Sequence, residues 1–181
     1  IFKMCIDDPS IELIGINEIN PDLNNWSYIL NYDSIYGQSK HKTKIKNKTL
    51  ICNNKSIFTS MCRDITKVPW KGWGVKIIID ASGVLENTFK ASKLIEDNHA
   101  EKIIFTNSPQ NVDFTMILGV NENKYNPKKH HLIAASICDA TAIAPVTKLI
   151  DSLYKIKLGY VTTLHPWLSY QTIMDGPSSY W

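Results

Sequence analysis

The stretch Val75-Lys76-Ile77-Ile78-Ile79-Asp80-Ala81-Ser82-Gly83-Val84 decides the fold class of this chain. Its isoleucine-rich first part predicts a buried strand, and Ala81-Ser82-Gly83 predicts a tight turn. The residues from Leu85 to Asp97 then have helical character. A strand followed by a short turn and a helix is typical of the crossover units that build parallel sheets.

Strand-like and helix-like segments alternate along the rest of the chain, which predicts an α/β fold with a mainly parallel sheet. Further strands are expected at 11–17, 102–107, 115–120, 132–135 and 158–164, and antiparallel strands between Lys42 and Cys62. Helices are expected from Pro21 to about Asn31 and from Asp139 to Tyr154. Five residues of the last helix have core spacing: Ile143, Val146, Leu149, Ile150 and Leu153.

Composition narrows the class of protein. The chain has 181 residues, 44% hydrophobic and 20% charged, as ordinary globular proteins do. A net charge of +3 is too small to indicate nucleic-acid binding, and we interpret the basic stretch 41–48 as a solvated strand or loop. We find no signal peptide and no apolar run long enough to cross a bilayer. We therefore expect a cytoplasmic protein without membrane or nucleic-acid partners.

Cysteine and histidine spacing gives no metal site. Four cysteines are present without a Cys-x-x-Cys pair, and the adjacent His130 and His131 would point to opposite faces of a strand. We expect a reduced protein with no structural metal.

Cys138 and His165 each follow an apolar, strand-like run, which makes them a candidate nucleophile and base. The start of a helix and a nearby histidine both favour a thiolate, whereas the charge of Asp139 opposes one. A buried core cysteine and a surface histidine are the alternatives. Glu18, just past the first strand, stands where dinucleotide-binding folds place an acid on the ribose, although a solvated loop acid is equally simple. Arg63 is a further candidate binding residue, and a surface ion pair is the alternative explanation for it.

A series of short segments follows in chain order: Asn17-Glu18, 32–37, Arg63-Asp64 with Pro69-Trp70, 81–84, 118–121, 135–138 with Ala144-Pro145, 162–165 and 175–178. This series resembles motifs of the phosphorylating glyceraldehyde-3-phosphate dehydrogenase family. The separation of Cys138 and His165 also matches that family.

The resemblance implies an incomplete Rossmann-type NAD-binding domain over 1–138 and the beginning of an α+β catalytic domain over 139–181. The first strand and the glycine-rich loop would precede Ile1, and the rest of the catalytic domain would follow Trp181. On that basis the chain alone is expected to be inactive, and the complete protein is expected to be a homotetramer.

The resemblance also assigns roles to single residues. Cys138 would attack an aldehyde substrate, and His165 would act as the base. The adenosine half of NAD would be held by Asn17, Glu18 and Arg63, and its path would be lined by Ser82, Gly83 and Thr106. Glu18 would disfavour NADP, because a 2′-phosphate would meet a carboxylate.

Three positions depart from the family pattern around the nucleophile. Ile137, Asp139 and Leu168 stand where the family presents hydroxyl groups that bind phosphate. A carboxylate beside a phosphate costs on the order of 1 kcal/mol or more at a partly buried site. The leading hypothesis is an NAD-dependent aldehyde dehydrogenase with an altered acceptor or substrate. The alternatives are a non-phosphorylating relative and an inactive paralogue that serves as a binding protein.

Overall fold

The computed structural model of the chain describes residues 1–33, 37–47 and 49–164. The helices are α1 (Phe2–Asp7), α2 (Leu23–Asn31), α3 (Leu85–Glu96) and α4 (Cys138–Tyr154), with short 3₁₀ turns at Ile65–Lys67 and Glu122–Lys124. The strands are β1 (Gly15–Asn17), β2 (Tyr32–Asp33), β3 (Gly37–Gln38), β4 (Thr43–Lys46), β5 (Thr49–Cys52), β6 (Lys55–Ser60), β7 (Ile77–Asp80), β8 (Lys102–Phe105), β9 (Phe114–Thr115) and β10 (Leu132–Ala134).

Four strands form a parallel sheet in the order β7-β8-β10-β9. Helix α3 connects β7 to β8, as the strand–turn–helix pattern at 75–97 predicts. Its Ala91 and Leu94 are buried in one core with Ile78, Ile103 and Phe105 of the sheet. The expected α/β fold with a mainly parallel sheet is confirmed.

A second sheet has the order β1-β6-β5-β4. Strand β1 runs parallel to β6, whereas β4, β5 and β6 are antiparallel, as the alternation between Lys42 and Cys62 predicts. Asn53 and Asn54 join β5 to β6 with φ angles of 51° and 62°, which asparagine tolerates better than most residues. Leu50, Cys52 and Ile57 form the centre of its core.

Trp73 packs against the second sheet from the segment that leads into β7. Its ring stacks on Phe58 with centroids 5.5 Å apart, and it meets Trp70 edge-on at 5.6 Å. A Cβ atom added to Gly15 would lie 2.7 Å from two carbons of the Trp73 ring. Glycine at position 15 is therefore required by this contact.

Two strand predictions need correction. Strand β7 is buried on one face only, because Ile78 is buried whereas Ile77 and Ile79 on the opposite face are 55% and 40% exposed. The strand expected at 115–120 ends at Thr115. There the Asn121 side chain binds the Ile117 N–H and the Thr115 carbonyl, which bends the chain away from the sheet.

The prediction for the end of the chain is also wrong in part. Helix α4 forms as expected, but none of its residues is buried within the described part of the chain, including the five with core spacing. Residues 158–164 contain no strand and are exposed. Periodicity identified the apolar stripe of α4 correctly, but it could not show whether another element covers that stripe.

No helix in residues 1–33, 37–47 and 49–164 has the length and apolar character needed to cross a membrane.

Candidate functional site

The carboxyl ends of β7, β8 and β10 lie side by side. The Thr106 N–H donates to the Asp80 carbonyl at 3.0 Å, and the Ala135 N–H donates to the Phe105 carbonyl at 2.8 Å. The residues that follow these strands, among them Ser82, Gly83 and Cys138, therefore emerge from one edge of the parallel sheet.

Cys138 is the first residue of α4, and its side chain is exposed. It therefore lies at the end of a 17-residue helix where the first backbone N–H groups have no partner within the helix. The Cys138 thiol donates a hydrogen bond to Oδ1 of Asp139, with the two atoms 4.0 Å apart. Its expected partner His165 lies outside the residues that the structure describes.

Ser136 holds a backbone conformation that the sequence did not indicate. It is buried and has a φ angle of 65°, a left-handed value that costs a serine energy relative to glycine. Strained residues of this kind concentrate at functional sites. Ser136 turns the chain between β10 and α4 and thereby determines where Cys138 leaves the sheet.

The turn after β7 is held by an internal hydrogen-bond network. Oδ1 of Asp80 accepts bonds from the Ser82 N–H at 2.8 Å and from the Ser82 hydroxyl at 2.6 Å. The buried Asn87 amide donates to Oδ2 of Asp80 and to Oγ of Ser82, both at 3.1 Å. Gly83 follows with a φ angle of 71° and has open space where a side chain would be.

A second group of candidate residues lies at the carboxyl ends of β1 and β6. The Asn17 side chain accepts from the Cys62 N–H and donates to the Cys62 carbonyl, both at 2.9 Å. It also accepts from the Ser60 hydroxyl at 2.7 Å. Asn17 therefore fastens the segment before Arg63 to the end of β1, next to Glu18. The Arg63 side chain itself is exposed.

Glu18 borders a cavity of about 280 Å³ between β1 and α2. Its backbone N–H donates to the Ser60 carbonyl, and its Oε1 accepts from the Asn20 N–H at 3.1 Å. The remaining lining comprises Ile16, Asn20, Asn25, Trp26, Ile29 and Leu30. A carboxylate beside a small apolar cavity can hold a hydroxylated ligand that has a flat apolar part.

Asp64 and Lys90 connect the segment after Arg63 to α3. Their charged groups are 3.4 Å apart, and Lys90 also pairs with Glu86 at 2.9 Å. Hydrogen bonds from the Thr66 N–H and hydroxyl, with a smaller contribution from Lys90, lower the pKa of Asp64. Both residues are accessible to water, so this ion pair orients the two segments more than it stabilises them.

No group of histidine, cysteine and acidic side chains in the described part of the chain could hold a metal ion.

Comparison with known proteins shows what the chain is similar to. Residues 1–88 match the family model described as glyceraldehyde 3-phosphate dehydrogenase, NAD binding domain. The glyceraldehyde-3-phosphate dehydrogenase of Geobacillus stearothermophilus is 31% identical over 177 residues, or 98% of this chain. The chain is therefore similar, over nearly its whole length, to members of the glyceraldehyde-3-phosphate dehydrogenase family. NAD is the cofactor that the matched domain binds in this family.

Other members of the glyceraldehyde-3-phosphate dehydrogenase family align in the same way. Glyceraldehyde-3-phosphate dehydrogenase 1 of Bacillus subtilis is 30% identical over 98% of this chain, and the Thermotoga maritima enzyme is 31% identical over 94%. The chain spans about half the length of these relatives, 52% and 50% respectively. The comparison therefore concerns a part of each relative.

The structure brings the sequence-based candidates together in two groups. Asn17, Glu18 and Arg63 share the end of the mixed sheet, and Ser82, Gly83, Thr106 and Cys138 share the end of the parallel sheet. Sequence reasoning missed Asp80 and Asn87, which organise the second group, although an aspartate directly before a small-residue turn was a signal for them. Nothing in the sequence indicated the left-handed Ser136.

Proposed function

We propose that the protein carrying this chain oxidises an aldehyde with NAD, using Cys138 as the nucleophile. The observation that supports this proposal most is the exposed thiol at the start of α4, at the same edge of the parallel sheet as the turn that contains Ser82 and Gly83, with only β8 between the two strands that lead to them. A reactive thiol and a cofactor site must adjoin for hydride transfer. The carboxyl edge of the parallel sheet allows this arrangement.

The residues present fit a dinucleotide. Glu18 offers a carboxylate to ribose hydroxyl groups beside the cavity at β1, and Arg63 offers an exposed cation close by. Gly83 leaves open space at the end of β7, so a ligand can approach the backbone there. Thr106 is exposed at the end of β8. We propose that these groups, with Asn17 and Ser82 as their supports, form the NAD site.

Cys138 and His165 are the residues of this chain that take part in the covalent steps. The Cys138 thiolate attacks the aldehyde carbon, and the carbonyl oxygen takes a proton from protonated His165 to give the thiohemiacetal; the neutral His165 then removes that proton again as the base when the hydride leaves. NAD, when held at this site, would supply the hydride acceptor, and the loss of the hydride would leave an acyl thioester on Cys138. An acceptor nucleophile then displaces the thiolate and releases the acyl product.

We propose that the acyl acceptor is not inorganic phosphate. Ile137 is 48% exposed directly before Cys138, and the Asp139 carboxylate lies 4.0 Å from the sulfur. An apolar side chain and an anion provide no donors for a phosphate dianion, and the anion repels it. Water or another neutral nucleophile meets no such repulsion.

The remaining proposals concern the whole protein. We place the boundary between the NAD-binding and catalytic domains at 138/139. We further propose a cytoplasmic homo-oligomer, on the grounds of its family and its composition.

Steady-state assays of NADH formation test the proposed function. The native protein that carries this chain should oxidise glyceraldehyde 3-phosphate or an unphosphorylated aldehyde when NAD is present. Adding inorganic phosphate should change the rate by less than about twofold. Saturable stimulation by phosphate with an acyl-phosphate product would overturn the choice of acceptor, and absence of NADH formation with every aldehyde would favour the inactive paralogue.

The same assay tests the proposed role of His165 as the base. The substitution His165→Asn should lower the rate of aldehyde oxidation by roughly 10²–10⁴-fold, which is the usual contribution of a positioned general base. Its affinity for NAD, measured by fluorescence quenching, should change little because the histidine acts on the substrate. Unchanged turnover would remove His165 from the mechanism.

A further inference from the structure

We propose that Asp80 and Asn87 are positioning residues of the cofactor site, and that they turn the Ser82 hydroxyl inward, away from the dinucleotide. This inference rests on the proposed NAD-binding function and refines it. Ser82 becomes a support of the site instead of a ligand of the cofactor.

The hydrogen bonds of the Ser82 hydroxyl show that it is directed inward. A serine hydroxyl has one proton to donate and two lone pairs to accept with. Here the proton is directed at Oδ1 of Asp80, at 2.6 Å. The oxygen accepts from the Val84 N–H at 3.1 Å and from the Asn87 amide at 3.1 Å. Every hydrogen-bonding position of the hydroxyl is therefore used within the turn.

The bond to Asp80 is the one that a cofactor would have to break. Hydrogen bonds to a carboxylate are roughly twice as strong as those between neutral groups. A neutral ribose or amide oxygen therefore competes poorly for the Ser82 proton. The turn instead presents Gly83 to a ligand, because open space lies where its side chain would be.

Asn87 makes the arrangement rigid. Its side chain is 5% exposed, and its amide bridges Asp80 and Ser82 from the first turn of α3. Leaving a buried amide without its acceptors costs about 1–3 kcal/mol, so these two bonds hold the turn against α3. Asn87 therefore fixes the position of Gly83 relative to α3.

The substitution Asn87→Asp tests this proposal, because it sets a second carboxylate about 3 Å from Oδ2 of Asp80, at the place of the amide nitrogen. The two like charges should open the turn and raise the Kd and KM for NAD on the order of tenfold or more. The value of kcat at saturating NAD should stay within about twofold, because the reacting groups are untouched. The exchange Asp80→Asn with Asn87→Asp restores one amide–carboxylate pair and should recover most of the affinity.

Thr88→Val is the matched control. Thr88 is also buried in the first turn of α3, but its hydroxyl bonds to the Leu85 carbonyl and to Asn111, outside the turn at 80–84. This variant should lower the Tm while leaving the Kd for NAD within about twofold of the unsubstituted protein.

The outcomes separate the two proposals. If the unsubstituted protein shows no saturable NAD binding, the proposed function fails. If it binds NAD and Asn87→Asp binds equally well, only the positioning role fails. The positioning role also fails if Thr88→Val loses as much affinity at an equal loss of Tm, or if the exchange variant folds without recovering affinity. Should Asn87→Asp not fold, Asp80→Asn alone provides the test, with an expected loss of several-fold.

Discussion

At the scale of single residues, Cys138 is distinguished from the other cysteines by its surroundings. It is exposed at a helix N-terminus, whereas Cys5 and Cys52 are buried and burial raises the pKa of the Cys52 thiol. Cys62 is half-buried, with its sulfur 3.8 Å from the Lys67 carbonyl. Alkylation requires access to the sulfur, and Cys138 has the most exposed thiol of the four cysteines.

Limited alkylation with iodoacetamide followed by peptide mapping should therefore label Cys138 first. The substitution Asp139→Asn should accelerate that labelling severalfold, because it removes the negative charge 4.0 Å from the sulfur. Asp151→Asn serves as the control, since it removes a charge from the other end of α4. Faster labelling of Cys62 would contradict the assignment of the nucleophile.

Glu18 determines the choice of dinucleotide in this account. Its carboxylate lies beside the cavity at the end of β1, where a 2′-phosphate would be repelled. Titration by fluorescence quenching should give at least about tenfold tighter binding of NAD than of NADP. Glu18→Gln should reduce that preference mainly by improving NADP binding. Equal affinities in the unsubstituted protein would show that Glu18 does not face the ribose.

At the scale of elements, the close contact between β1 and Trp73 gives a test of the packing. Gly15→Ala would place a methyl group 2.7 Å from the ring, so the ring must move and break its stack on Phe58. Overpacking of this kind costs about 1–3 kcal/mol. Gly72→Ala is the control, because its new methyl group would lie 3.4 Å from the nearest atom. Thermal unfolding should show a loss of Tm for the first variant and almost none for the second.

The helices and strands also show which structural features can be predicted from the sequence alone. The pattern at 75–97 predicted β7 and α3, because isoleucine enrichment and helical periodicity are local properties. The same reasoning extended a strand over Leu118 and Val120, where the Asn121 side chain bends the chain instead. It also could not place Asp80 and Asn87 in contact, because their bond depends on how the turn at 81–84 folds. It could not predict that Ile143 and Leu149 are exposed, since the burial of a helix face depends on what packs against it.

At the scale of the whole molecule, the candidate residues occupy the carboxyl ends of two sheets. One end carries Glu18 and Arg63, and the other carries Gly83 and Cys138. The ion pair of Asp64 with Lys90 joins the segment after Arg63 to α3. This division is the one that the proposed function requires, with the proposed nucleophile at one end of the proposed cofactor site.

The most direct test of this account is to trap the acyl group on the enzyme. The native protein is mixed with NAD and an aldehyde, quenched in acid within one turnover, digested and analysed by mass spectrometry. The account predicts an acyl adduct on the peptide that contains Cys138, formed together with NADH and absent when NAD is omitted or when Cys138 is replaced by serine. NADH formation by Cys138→Ser at the unsubstituted rate, or an acyl adduct on a different cysteine, would contradict it.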